Sequence, residues 1–295
     1  MEEKRCDLHI HSIFSDSDTD IEGIFKAAKA KGLTCLAITD HDTVRGIETA
    51  KIYSKIYNIE LVEAIELSAQ ERAVEFHILG YFIDSEDKKL TEDLIEVEKL
   101  RRERFLIMVE KLNSLGIKIE KEEILSKVKG AIPTRLHLGM YLVEKKIVGF
   151  LWEAFKKYLS PGKPAYAAHF KYSVKEAIHL IKDCQGLAFL AHPQLFCTQP
   201  RIEEFISYGL DGLEVVYPRF SRAKISLYEG VADKAGLLKS GGSDAHGSYK
   251  EFTEIGGVTI PYLWVEEMKR YRERHIDKLK GKSQNAKVQV KNQKL

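Results

Sequence analysis

The chain has 295 residues, 44% of them apolar and 31% charged, with a formal net charge of +2. That is apolar content enough for a real core and length enough for one large domain or two modest ones. No run of about 18 apolar residues occurs, which excludes a membrane-spanning helix. The N-terminus passes from charged residues straight into Arg5–Ile10, so it predicts a strand and no signal peptide. Asp20–Lys31 predicts a helix closed by Gly32, Thr34–Ile38 a second strand and Val44–Tyr57 a second helix. Glu60–Ala64 and Val74–Phe82 are both strand-like. From Glu86 to about Ala168 the period is helical, with breaks at Gly116, Gly130, Pro133, Gly149 and the Pro161-Gly162-Lys163-Pro164 segment. Strand–helix alternation then resumes with Val174–Cys184 (helix), Leu187–Ala191 (strand), Ile202–Tyr208 (helix), Leu213–Val216 (strand) and Leu237–Ser240 (strand).

Strands alternating with helices predict βα units and a mostly parallel sheet. The expectation is therefore an α/β protein, a distorted barrel of about seven strands carrying a helical insert. Its parts are a barrel in two pieces (1–85 and 171–262), the insert (86–170) and a basic C-terminal helix and tail (263–295). From Lys269 to Leu295 there are ten Lys or Arg against two acids. This end reads as a solvated helix face and tail rather than a nucleic-acid contact. Arg101, Arg102 and Arg104, on the predicted helix Val97–Leu112, read as an exposed charged face rather than a basic lid. The four cysteines Cys6, Cys35, Cys184 and Cys197 show no CxxC spacing. Neither a zinc knuckle nor a disulfide framework is implied, and a reducing cytoplasm is the expected setting.

The histidines carry the chemistry. His9 and His11 are two apart at the end of an apolar strand, so they point to one side of it. Asp16 follows in the next loop, and Asp40-His41-Asp42 directly follows the second strand. Glu66, His77, His192, Asp244 and His246 recur at or just past later strands. In an α/β barrel such ends converge on one face. One histidine there would be an ordinary structural residue or a helix cap. Six histidines, two aspartates and one glutamate at corresponding ends predict a dense pocket of ligands. Packed carboxylates repel and buried imidazoles lack partners unless cations sit among them. Imidazole and carboxylate without thiolate suit Zn, Mn or Fe, and nine ligands are too many for one ion, so two or three are expected. Such centres supply hydroxide at neutral pH and clamp phosphoryl oxygens.

The ordered segments DLHIHSIFSD, AITDHD, IELS, FHILGY, AHP and GSDAHG resemble the PHP family, named for polymerase and histidinol phosphatase, from Asp7 to about Ile260. The resemblance implies a distorted (β/α)7 barrel, the PHP fold, with up to three divalent ions, manganese first and zinc or iron as alternatives. It also implies one ion held by His9, His11, Glu66 and Asp244, and a second by Glu66, His77 and His192, with Glu66 bridging. A third is implied at Asp16, His41 and His246. Asp40 has no ligand role in that pattern and is expected to orient a neighbouring imidazole or a water. A helical insert after HILGY, ending near GKPAY, resembles the branch containing ribonuclease AM and the nucleoside 3′,5′-bisphosphate phosphatases. Within it, Pro133-Thr134-Arg135-Leu136-His137 resembles a family segment reading Arg-Pro-His. Arg135 and His137 are then candidates for gripping a substrate phosphate, guanidinium matching phosphate bidentately. The alternative is that Arg135 only begins a helix as a surface charge. Two departures stand out: Ser15-Asp16-Ser17 replaces the family's Ser-Asp-Gly, and Leu136 stands where the family has proline.

The activity implied is metal-dependent hydrolysis of phosphate from a 3′,5′-bisphosphate nucleotide or a 5′-nucleotide, with trimming of short RNA from its 5′ end as an exonuclease. Alternatives are a non-nucleotide phosphomonoester such as histidinol phosphate, hydrolysis at carbon as in amidohydrolases, or a non-catalytic metal- or phosphate-binding module. The expected partner is a nucleotide or short oligonucleotide, with no membrane and no protein partner implied.

Overall fold

The computed structural model describes residues 4–72, 74–128, 130–168, 170–193, 198–251 and 253–274. Its strands are β1 (Arg5–Ile10), β2 (Leu33–Ile38), β3 (Glu60–Glu71), β4 (Val74–Tyr81), β5 (Leu187–Leu190), β6 (Gly212–Val216), β7 (Leu238–Gly241) and β8 (Ile260–Pro261). They form one sheet in the order β7-β6-β5-β4-β3-β2-β1-β8. Pairing is parallel from β1 through β3 and from β5 through β7, as strand–helix alternation requires. β4 breaks the rule and runs against both neighbours. The strand expected to stop at Ala64 continues to Glu71, because every residue from Ala64 onward finds a partner in β4. Glu66 therefore lies within a strand, not after one.

Beyond β7 the chain folds back on β1. Ile10 bridges Ala245, and the His11 amide donates to the Ala245 carbonyl at 2.9 Å. A Cβ at Gly242 would sit 2.4 Å from the His9 nitrogen, so only glycine lets the two backbones meet. The outcome is a distorted, nearly closed α/β barrel.

The helices are α1 (Ile21–Ala30), α2 (Ile47–Tyr57), α3 (Lys88–Ser114), α4 (Lys121–Lys127), α5 (Arg135–Glu144), α6 (Leu151–Ala154), α7 (Val174–Asp183), α8 (Gln199–Ser207) and α9 (Arg222–Ala235). α1 shows why they form. Asp20 caps it by accepting from the Gly23 amide at 2.7 Å, and Ile21, Ile24, Phe25 and Ala28 bury one face. That face packs on Ile10, Leu36 and Ile38 of β1 and β2. A cap is worth about 1 kcal/mol, while each large buried side chain contributes roughly 1.5–3 kcal/mol. Burial decides the helix, and the cap fixes where it starts. Residues 262–274 are also helical, and Val265 and Met268 there pack with Cys6, Leu8 and Phe189. This segment is amphipathic rather than merely solvated, and Lys269 pairs with Glu60 at 2.6 Å. The lysine tail from Lys278 lies outside the described residues. Among those residues, no helix is long and apolar enough to cross a membrane.

α3 belongs to two cores at once. Leu90, Leu94 and Val97 pack with barrel residues such as Ile65 and Leu67. Phe105, Met108, Val109 and Leu112 pack with α4, α5 and α6 in a separate cluster. Between the two stretches, Arg101 and Arg104 are buried, at 9% and 5% exposure. The expectation of an exposed arginine face is thus corrected, and only Arg102 is half-exposed, paired with Glu98. The physical reason is acceptors: the Arg101 guanidinium is held by Asp42 and Ser68, and Arg104 Nε donates to the Ala167 carbonyl at 2.8 Å.

Candidate metal centre

Glu66 is fully buried, and its two oxygens face different imidazoles. Oε1 lies 2.9 Å from His77 Nδ1 and 3.0 Å from His192 Nε2. Oε2 lies 3.2 Å from His11 Nε2, 3.2 Å from His41 Nδ1 and 3.3 Å from His9 Nε2. One carboxylate thus meets two separate sets of imidazoles, one at each oxygen. Asp244 Oδ1 is 3.2 Å from His11 Nε2 and 3.5 Å from His9 Nε2. On the other side, Asp16 Oδ1 is 3.4 Å from His246 Nε2, and Asp16 Oδ2 is 3.9 Å from His41 Nε2. The antiparallel run of β4 explains how His77, inside a strand, joins residues from the C-terminal ends of the parallel strands.

A second ring of groups fixes which nitrogen His9, His77 and His246 offer. His9 Nδ1 is 2.8 Å from Glu214 Oε1, and a carboxylate only accepts, so Nε2 is the nitrogen turned to Glu66. Glu214 also accepts from the His192 amide at 2.5 Å, holding that residue at φ 27°. His246 Nδ1 lies 2.7 Å from the Asp244 carbonyl, and His77 Nε2 lies 3.3 Å from Glu75 Oε1. Asp244 has φ 49°, and its Oδ2 takes the Tyr217 hydroxyl at 2.8 Å and the Lys250 ammonium. Left-handed non-glycine residues such as His192 and Asp244 cost roughly 1–3 kcal/mol each and persist where surroundings enforce them.

The electrostatics are those of a site that wants positive charge. Burial would lower His11 and His77, but hydrogen bonds and charge from Asp244, Glu66 and Glu75 push both up to about 9. Burial holds His41 well below its ordinary value. Burial, with the neighbouring His11, holds His246 down to about 3. Burial would raise Glu66, yet His41, His9 and His77 hold it well below the usual carboxylate range. Among the described residues, Asp16 Oδ1 and His41 Nδ1 are buried without a hydrogen-bond partner. Each such atom costs about 1–3 kcal/mol unless something coordinates it. Four groups bring their ligand atoms within 4.8 Å of one another: His11, Asp16, His41 and His246; His9, His11 and Asp244; His9, Glu66 and His192; His41, Glu66 and His77. Nitrogen and oxygen donors without sulfur fit Zn, Mn or Fe. The buried clusters fit a multi-metal site.

All nine ligand candidates from the sequence lie together. Asp40 does not touch an imidazole. Its carboxylate accepts from the Ser12 amide at 2.7 Å, the Ser12 hydroxyl at 2.5 Å and the Ser15 hydroxyl at 2.6 Å. It holds the loop that carries Asp16, reaching His11 only through Ser15 at 3.4 Å. Arg135 and His137 part company. Arg135 lines the cavity over the cluster and pairs with buried Glu75 at 2.9 Å. His137 sits in a cap: its Nδ1 accepts from the Thr134 amide at 3.1 Å, and it does not line the cavity. Sequence reading missed Glu214, Glu75, Tyr217 and Lys250. Glu214 carried a usable signal, a lone acid inside the apolar run Gly212–Val216.

The cavity measures about 600 Å3. Alongside the ligand candidates it is lined by Arg101, Arg104, Arg135, Lys156, Arg219 and Lys250. Burial would raise Glu75, but Arg135, the His77 hydrogen bond and Arg104 hold it far below the ordinary range, so it stays ionised behind this cationic wall.

Comparison with known proteins gives consistent findings. The PHP domain matches residues 7–119. A 5′-3′ exoribonuclease of Haemophilus influenzae is 32% identical over 248 residues, covering 82% of this chain and 90% of its own. A 3′,5′-nucleoside bisphosphate phosphatase of Chromobacterium violaceum is 29% identical over 263 residues, covering 85% of this chain and 90% of its own. Among solved structures, one described as a metal-dependent phosphoesterase from Bifidobacterium adolescentis superimposes with a TM-score of 0.82 at 27% identity, covering 89% of this chain and 94% of that one.

Proposed function

Because the chain belongs to the PHP family of metal-dependent phosphoesterases, we propose that it hydrolyses phosphate from nucleotides, either 3′,5′-bisphosphates and 5′-nucleotides or the 5′ end of short RNA. The observation that carries this reading is the cavity itself: a cluster built for cations, with Arg135, Lys156 and Arg219 lining the same cavity. A phosphate ester, which is multiply anionic, suits both.

We assign the nine ligand candidates to three ions, manganese first, with Glu66 shared between two of them. Bound there, the ions would supply an activated water and neutralise charge on phosphorus. The rest falls to this chain's own groups. Glu214, Glu75 and the Asp244 carbonyl fix the tautomers of His9, His77 and His246, so that the other nitrogen of each faces inward. Arg135 presents its guanidinium to the cavity while Glu75 holds it in place. Arg219, exposed and without a carboxylate partner among the described residues, is free to meet a second phosphate. His137 is left with its part in the α5 cap. A reducing cytoplasm suits Cys6 and Cys35, free thiols paired in register across β1 and β2.

The test is a phosphate-release screen with manganese across 5′-AMP, a 3′,5′-bisphosphate nucleotide, short 5′-phosphorylated RNA, histidinol phosphate and simple amides. Turnover of the nucleotide substrates above the others is expected. Release from histidinol phosphate or amides alone would overturn the proposal.

A further inference from the structure

Phosphate recognition accounts for the cations of the cavity but not for its aromatic edge. Trp152 lines the cavity and is 60% exposed, its ring stacked on that of Phe150 with centroids 6.3 Å apart. Trp152, Phe155 and Lys156 stand at i, i+3 and i+4, so they share one face, and all three line the cavity. The Lys156 ammonium lies 5.7 Å from the Trp152 ring centroid, and the Arg135 guanidinium lies 5.8 Å from that of Phe155. Rings and cations thus alternate along this wall.

The placement is built into the backbone. A Cβ at Gly139 of α5 would stand 2.5 Å from Leu151 Cδ1, so the glycine lets α6 seat directly against the helix that carries Arg135. From Phe155 to Leu159 the chain then winds as a π-helix, a form frequent at functional sites. A volume near 600 Å3 is that of a site for a whole small ligand, since such pockets span about 300–1,000 Å3, and a lone phosphate would fill little of it.

We propose that Trp152 is the platform on which the base of a nucleotide substrate stacks, with Phe155 and Lys156 completing that subsite beside the metal centre. The proposal rests on the phosphoesterase reading above and adds what the enzyme grips besides phosphate. A flat indole at the edge of an anion-binding cavity is complementary to a planar heterocycle carried by a phosphate. Stacking of this kind tolerates every base, because each has a π-face.

Two measurements test it. In the holoenzyme, Trp152→Ala should lower kcat/KM for 5′-AMP about five- to a hundredfold, the range that loss of one base–aromatic stack gives. Ribose 5-phosphate, which lacks a base, should change by less than about twofold, and Trp152→Phe should recover most of the loss for 5′-AMP. Equal losses on both substrates, or none on 5′-AMP, would overturn the proposal. The second readout needs no turnover. The chain has two tryptophans, so Trp264→Phe leaves Trp152 as the single emitter; Trp264 packs in the core, away from the cavity lining. Saturable quenching by 5′-AMP and none by ribose 5-phosphate is expected. Absence of quenching by 5′-AMP overturns the stacking platform whatever the enzyme hydrolyses. Quenching without nucleotide turnover would instead strike at the proposed activity.

Discussion

Replacing Glu66 by Gln removes one charge and almost no volume. In the fold, that carboxylate lies within 3.3 Å of five imidazole nitrogens. With an effective dielectric near 20, a unit charge about 4 Å from a divalent ion interacts with it by roughly 8 kcal/mol. If a third of that survives desolvation, the loss is about a hundredfold in occupancy for each ion that Glu66 touches. Gln can still hydrogen-bond through one oxygen, so the barrel should stay folded. Hydrolysis with manganese should therefore fall at least about a hundredfold, with metal content measured by mass spectrometry falling in parallel and the circular dichroism spectrum unchanged. Near-full activity at unchanged metal content would refute the bridging role.

Three further outcomes are expected. Glu214→Gln should weaken metal binding or activity about ten- to a hundredfold, since it frees the tautomer of His9 and loosens the backbone of His192; calorimetric titration with manganese checks this, and wild-type affinity would refute it. Arg135→Ala should raise KM for bisphosphate nucleotides about ten- to a hundredfold while changing 5′-AMP by less than about threefold, if its guanidinium grips the phosphate that is not cleaved; equal loss on both would place it on the scissile group, and unchanged kinetics would leave it a partner of Glu75 alone. In chelator-treated protein, His11 and His77 stand at about 9 against an ordinary 6.5, held up by carboxylates despite burial. Protons on these groups stabilise the fold fully below 6.5, and that stability is lost as pH rises through 9, so Tm should fall across this window and manganese should flatten the fall. A flat metal-free profile would contradict the charge pattern.

The clustering of the nine candidates was legible in the sequence because they repeat one placement, a histidine or acid beside an apolar strand, and repetition survives errors in element boundaries. The reversed β4 was not legible. Strand direction is decided by pairing, and Val74–Tyr81 carries the same apolar run whichever way it lies. Arg101 and Arg104 misled for a related reason. Arginines at helical spacing read as solvated, and only the fold brings Asp42, Ser68 and the Ala167 carbonyl to them. Asp40 was placed near the right residues but one step too close, since serine hydroxyls stand between it and His11. His137 was singled out by a resemblance of segment, whereas its bond to the Thr134 amide depends on the helix start at Arg135, which the segment does not spell out.

α3 has a mechanical consequence. It is one unbroken helix of 27 residues, about 40 Å long at 1.5 Å per residue. One end is packed into the barrel and the other into the helical cluster, with Arg101 riveted to the barrel partway along. A beam fixed at both ends and pinned between cannot act as a hinge. Opening the cavity by swinging the helical cluster away would mean breaking the beam or extracting a buried guanidinium. Heat should take the barrel and its helical roof down together, in one cooperative transition rather than two.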